Sequence, residues 1–281
     1  RTALAKSRNM VSIRLLRRTG IEPTVQHIRK FGMSARDLPA DLSLALGSGA
    51  MTPIELLSGY AVFANGGYRV KPWFVDHVTD LAGNVLYRHL PDVVCEPNCS
   101  HLVQPASSAE LIPEGSVPGK PAERVIPATN AYQIVSMMQD VIRMGTATQA
   151  KELKRNDLAG KTGTTNDQID AWFNGFNQDL ATTVWFGFDE SKPLGKKEAG
   201  GKFALPTWID YMRVALEDIP EKELQKPDGM ITISINPETG LQAESGDENS
   251  ILETFKAGTV PERGIAKLVP VEDADVPEQI F

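Results

Sequence analysis

The sequence predicts an α+β fold, and three observations carry that reading. Three strand-like runs follow one another directly: Gly160 to Thr165, Ala171-Trp172-Phe173-Asn174-Gly175-Phe176, and Leu180 to Phe188. Helical patterns with recognisable start and stop signals lie on both sides of them. The composition, 41% hydrophobic and 23% charged over 281 residues, is that of an ordinary globular chain with one large or two modest domains.

The elements follow in order. Val11, Leu15 and Leu16, with Arg14, Arg17 and Arg18 between and beyond them, make an amphipathic helix that stops at Gly20. Ser7 and Asn9 lie at its start, where a serine serves most simply as an N-cap. Pro23 to Phe31 reads as a second helix with Val25, Ile28 and Phe31 inward and Gly32 as its stop. Leu42, Leu44 and Leu46 alternate as a brief strand. Thr52-Pro53-Ile54-Glu55 is a capping box with proline at the first helical position, opening a helix that runs to Asn65-Gly66-Gly67.

Tyr68 to Val78 and Val85 to Tyr87, joined through Ala82-Gly83-Asn84, form a hairpin pattern. Residues 89–128 hold seven of the nineteen prolines and little periodicity, which predicts an irregular or partly disordered insertion. The next helix buries Ile134, Met138, Val141 and Ile142 and ends at Gly145, and a short helix runs through Leu153. After the strands, Ser191 to Lys202 is a Gly- and Lys-rich loop. Leu205-Pro206-Thr207-Trp208 then opens a helix with Ile209, Met212, Val214 and Leu216. Met230 to Ile235 alternates as a strand before the turn Asn236 to Gly240, and the remainder is acidic and weakly patterned.

Charge is uneven along the chain. The net charge is −7, yet residues 1–36 carry nine Lys or Arg against Glu22 alone, while residues 238–281 carry ten acids against three bases. Nucleic-acid binding wants basic residues interleaved with aromatics, and only Phe31 lies among them, so that function is rejected. No apolar run approaches the length of a membrane span. Cys95 and Cys99 are the only cysteines: they close a small loop in an oxidising compartment and stay thiols in a reducing one. His101 adds a third ligand type, but three ligands in a Pro-rich loop are weak grounds for a metal centre, and no metal or other cofactor is expected.

The chemistry concentrates in Gly160-Lys161-Thr162-Gly163-Thr164-Thr165. Its first three residues match the end of a phosphate loop, G-x-x-x-x-G-K-[ST], but Arg155 stands where that loop needs glycine, and Gly163 and the polar run from Thr164 to Asp167 interrupt the helix it requires. Read as a strand, the segment places Thr162 and Thr164 on one face, where two hydroxyls can meet a carboxylate. Gly163 between them lets an extended peptide lie close and add to the edge, with the Lys161 charge beside the same groove.

These blocks resemble the class A penicillin-binding proteins. The likeness rests on Ser7-Arg8-Asn9, on Thr52-Pro53-Ile54-Glu55 with Ala61-Val62-Phe63-Ala64-Asn65-Gly66-Gly67, on Lys161 to Asp167, on Asp170-Ala171-Trp172-Phe173, and on Ala204 to Asp210. It covers about Thr2 to Gly240 and adds Ser-x-Asn and Lys-Thr-Gly to one another in the order of that family. The resemblance implies an antiparallel sheet flanked by helices, the DD-peptidase/β-lactamase-like fold, incomplete at its N-terminus. Residues 1–219 would form the C-terminal part of a transpeptidase domain and residues 220–281 a strand, a turn and an acidic tail.

It implies D,D-transpeptidation of peptidoglycan stem peptides ending in D-Ala-D-Ala, through an acyl-serine that β-lactams also form, within a bifunctional glycosyltransferase and transpeptidase. Ser7 would relay protons, Asn9 would hold the donor peptide and the catalytic lysine, and Lys161 would bias the charge around Ser7. Thr162, Gly163, Thr164 and Thr165 would line the peptide site, with the Thr164 N–H as an oxyanion donor. The family also implies a periplasmic domain anchored to the inner membrane through an N-terminal helix.

One motif of that family, Ser-x-x-Lys, occurs nowhere in residues 1–281; Ser116 has its lysine, Lys120, one position too far. The resemblance therefore places the nucleophile upstream of Arg1, predicts that this chain cannot acylate by itself, and makes the missing N-terminal segment a partner it needs to stay folded. Two rivals stand beside the transpeptidase: a carboxypeptidase or β-lactamase that passes the acyl group to water, and a non-catalytic module that binds peptidoglycan or partner proteins.

Overall fold

The computed structural model describes residues 1–34, 38–95, 98–105, 115–195, 200–244 and 246–263. The chain divides into two units, Arg1–Lys226 and Pro227–Phe281.

The first unit opens with three helices, α1 (Thr2–Ala5), α2 (Asn9–Thr19) and α3 (Ile21–Lys30). Of the apolar stripe expected to point inward on α2, Leu16 is buried, whereas Val11 and Leu15 are 50% and 61% exposed. Ser7 does not cap α2: the residue at that position is Arg8, and the side chain of Ser7 turns elsewhere from a backbone at φ 50°. Leu42–Leu46 is a 3-10 turn rather than a strand. The Asp41 carboxylate accepts the Ser43 N–H at 2.8 Å and wins the local contest over the alternating leucines.

α4 (Pro53–Ala64) begins with the predicted capping box, Thr52 and Glu55 exchanging side-chain-to-backbone hydrogen bonds. β1 (Tyr68–Arg69) pairs with β8 (Glu123–Arg124), so Tyr68 belongs to a long-range ladder and not to the hairpin expected of it. The hairpin itself is β2 (His77–Thr79) with β3 (Val85–Arg88). The described parts of the Pro-rich stretch are not structureless: β4 (Asp92–Val93) pairs in parallel with β7 (Lys120–Pro121), and β5 (Leu102–Val103) with β6 (Val117–Pro118). Cys95 and Cys99 are joined by a disulfide with Cα atoms 5.0 Å apart, which leaves no thiolates for a metal set with His101.

α5 (Ala128–Arg143) leads through a 3-10 turn, Thr148–Leu153, into β9 (Ala159–Thr164), β10 (Ala171–Phe176) and β11 (Ala181–Phe186), and α6 (Ala204–Ala215) follows. The three strands form one antiparallel sheet in the order β11-β10-β9. Alternation along β10 sends its aromatics to both faces. Phe173 stands edge-on to Trp208 of α6 at 4.9 Å, while Phe176 packs with Tyr60 of α4 and Met138 of α5. Truncating a fully buried aromatic such as Phe173 costs about 3–5 kcal/mol. The sheet is therefore packed between helices on both faces, with β9 at one edge of the three described strands.

The second unit is built on the antiparallel pair β12 (Met230–Ile235) and β13 (Ile251–Lys256), in register from Met230 opposite Lys256 to Ile235 opposite Ile251. Among the described residues no helix is long and apolar enough to cross a membrane, and no group of three His, Cys, Asp or Glu is placed to hold a metal ion.

Candidate active site

β9 passes from core to surface along its length. Ala159 and Gly160 are buried, Lys161 to Gly163 are half-buried, and Thr164 is exposed. Among the described strands β9 pairs with β10 alone, which leaves the other edge of the Lys-Thr-Gly segment for an added strand.

Lys161 Nζ donates a hydrogen bond to Ser7 Oγ, across 154 residues of sequence. The same ammonium donates to the Thr162 carbonyl at 2.9 Å and reaches Thr162 Oγ1 at 3.5 Å. Among the described residues no carboxylate lies within ion-pair distance of it. Its partners are neutral, and burial pulls its pKa from 10.5 down to about 8. A cation that titrates near neutrality and holds a serine oxygen is equipped to assist proton movement at that oxygen.

The segment bearing Ser7 is docked by α5's exit. The Thr146 N–H donates to the Ala5 carbonyl at 3.1 Å, and a Cβ on Gly145 would lie 2.2 Å from that same oxygen, so only glycine permits the approach. Thr146 Oγ1 also shares a hydrogen bond with Thr162 Oγ1 at 2.7 Å. Thr146 thus ties the Ser7 segment and the Lys161 strand together. It is a residue that sequence reasoning missed: only its neighbour Gly145 was read there, as a helix stop.

The other expected residues divide. Thr162 and Thr164 share a face of β9, as alternation requires, and Thr164 Oγ1 accepts the Gly200 N–H at 3.0 Å. Gly163 has a second reason to be glycine: a Cβ there would stand 3.1 Å from the Cβ of Trp172 on the neighbouring strand. Asn9 is exposed at the start of α2, two residues beyond Ser7, and bonds none of the cluster. Thr165 leaves the strand. Its hydroxyl accepts the Asp170 N–H at 2.8 Å and donates to the Asp170 carboxylate at 3.3 Å, so its only proton is spent closing the β9–β10 connection. The other Asp170 oxygen accepts Trp185 Nε1 at 2.9 Å.

The family model described as the penicillin binding protein transpeptidase domain matches residues 1–192, which include Ser7, Thr146 and the whole of β9. The chain belongs to the penicillin-binding protein transpeptidase family. Penicillin-binding protein 1A of Pseudomonas aeruginosa is 44% identical over 93% of this chain and 34% of its own length, and that of Vibrio cholerae is 35% identical over 96% and 35%. The chain thus spans about a quarter to a third of the length of the curated relatives it matches. The crystal structure of penicillin-binding protein 1A from Haemophilus influenzae superposes with a TM-score of 0.82 at 34% identity, covering 94% of this chain and 40% of that one. The PonA1 protein from Mycobacterium tuberculosis in complex with penicillin V superposes at 0.60 over 80% of this chain and 58% of that one. At 22% identity it speaks to the fold alone. The fold is that of the penicillin-binding transpeptidases, helices around an antiparallel sheet, and the Lys-Thr-Gly strand of this transpeptidase domain is an outer strand of that sheet.

Proposed function

We propose that this chain is the part of a peptidoglycan D,D-transpeptidase that binds the stem peptide and moves the proton, working with an acylated serine that lies outside residues 1–281. The observation that carries the reading is the hydrogen bond from Lys161 to Ser7, which joins two motifs 154 residues apart at the open edge of β9.

The donor peptide adds to that edge in extended form, with its terminal D-Ala carboxylate between the hydroxyls of Thr162 and Thr164. A nucleophilic serine attacks the penultimate carbonyl. The negative charge that develops on the carbonyl oxygen is stabilised by the Thr164 N–H and a second donor outside this chain. As the amide C–N bond breaks, Ser7 Oγ passes a proton to the departing D-Ala amine and takes in its place the proton that the attacking serine gave up, while the Lys161 ammonium offsets the charge that builds on Ser7 during the relay. An amine of a second stem peptide then takes the acyl group, and the serine is regenerated. A β-lactam presents its own carboxylate to the same threonines and stops at the acyl-enzyme. No step calls on a cofactor. On this reading the domain works in the periplasm as part of an inner-membrane-anchored protein.

Incubation with a fluorescent penicillin, followed by peptide mass analysis, tests the reading. The full-length protein should be labelled on a serine that is not in residues 1–281, and the isolated chain should take no label. Label on a serine of this chain, or none on the full-length protein, would overturn it.

A further inference from the structure

We propose that Gly200, through its backbone N–H, is a positioning residue for the carboxylate subsite: it fixes the Thr164 hydroxyl as a donor. The inference rests on the transpeptidase reading above and deepens it.

A hydroxyl has one proton to give and two lone pairs with which to accept. Thr164 Oγ1 accepts from the Gly200 N–H at 3.0 Å. With that lone pair engaged by a fixed donor, the hydroxyl rotor is restricted and its single proton is left for the open side of the strand. A carboxylate accepts and cannot donate, so a hydroxyl pre-set as a donor suits it without reorganisation on binding.

Gly200 is itself tightly placed. It is buried, and its carbonyl accepts the Leu205 N–H at 2.9 Å in the first turn of α6. Leu205 and Trp208 of that helix are in the core that packs on Phe173 of β10. A Cβ on Gly200 would lie 2.4 Å from the carbonyl oxygens of both Gly163 and Trp172 and 3.2 Å from the Trp172 nitrogen. Those are main-chain atoms of the β9–β10 ladder and cannot swing aside, so any side chain lifts Gly200 away from Thr164. The core helix thereby sets the position of one amide, and that amide sets one hydroxyl. The sequence had offered Gly200 only as part of a loop rich in Gly and Lys.

The test is the second-order rate constant for acylation of the full-length protein by a fluorescent penicillin, measured for wild type, Gly200→Ala, Thr164→Val and the double variant. Gly200→Ala should acylate about tenfold more slowly, the scale of one lost hydrogen bond to a charged group. Thr164→Val should be slower than wild type, and adding Gly200→Ala to it should change the rate by less than about twofold, since the amide acts only through the hydroxyl. With the penicillin methyl ester, which lacks the carboxylate, Gly200→Ala and wild type should react alike.

The proposal is overturned if Gly200→Ala matches wild type, if its loss is as large with the ester or adds fully to Thr164→Val, or if it reacts faster, which would mean that the amide competes with the ligand. A wild-type protein that fails to acylate at all would overturn the transpeptidase reading and this inference with it. If Gly200→Ala does not fold, hydrogen exchange decides: the Gly200 amide should exchange several-fold faster in Thr164→Val than in wild type, and equal exchange would overturn the proposal.

Discussion

Asp157, two residues before β9, and Lys161, in its middle, are both charged groups drawn into the protein, and they are handled in opposite ways. Asp157 has a side chain only 1% exposed, yet Arg155 grips it with two hydrogen bonds at 2.9 and 2.7 Å, and Asn177 and the Lys222 N–H add two more. Burial pushes its pKa up, but the bonds from Arg155 and Asn177 and the Arg155 charge outweigh it, and the net shift is downward. Lys161 is given neutral oxygens only, and burial lowers its pKa to about 8. A buried charge with its counter-charge anchors the start of the strand. A partly buried charge without one is held at a cost in stability, and on the transpeptidase reading proposed above that cost falls on the part of β9 that does the chemistry.

The sharpest way to break this comparison is to remove each charge in turn. Lys161→Met should slow penicillin acylation of the full-length protein by about 10²–10³-fold, the effect of deleting a group that stabilises transition-state charge. It should not lower the thermal unfolding midpoint, because the desolvated cation goes with it. Asp157→Ala should do the reverse. It leaves Arg155 without its counter-charge and should cost about 3 kcal/mol of stability by thermal or denaturant unfolding. Acylation by the protein that remains folded should change by less than about threefold. A variant at either end that damaged both properties equally would remove the distinction.

A smaller effect is expected at Thr146. Thr146→Val deletes the hydroxyl that bridges to Thr162 while keeping its size, and should slow acylation about fivefold, since one neutral hydrogen bond is at stake. Thr146→Ser should restore most of the rate, because it returns the oxygen at the same place. Failure of the serine variant to rescue would assign Thr146 to packing instead.

How much of this was legible in the sequence follows the range of the interactions. The capping box at Thr52 and Glu55 and the strand around Lys161 are local patterns, and each is where its residues predicted. Leu42 to Leu46 misled because alternation competes there with the Asp41 side chain, a local bond that periodicity does not weigh. Thr165 was counted with its neighbours in the motif, and only the fold brings Asp170 back to occupy its hydroxyl. Ser7 could be read as a cap until Lys161, 154 residues away, was placed against it. Thr146 and Gly200 belong to no motif of the chain, and their partners, Thr162 and Thr164, lie 16 and 36 residues away.

The pH dependence of acylation of the full-length protein tests the central claim, that Lys161 works as a cation poised near neutrality. Its folded pKa lies below the unfolded 10.5, so the desolvation cost is fully present below about pH 8 and is relieved as pH rises from about 8 toward 10.5; stability should increase over that window. The acylation rate should fall over the same window, with a midpoint near 8, as the ammonium that supports Ser7 is lost. In Lys161→Arg, whose charge persists, that limb should move beyond pH 10. A rate that stays level from pH 7 to 10, or a limb unchanged in Lys161→Arg, would contradict the account.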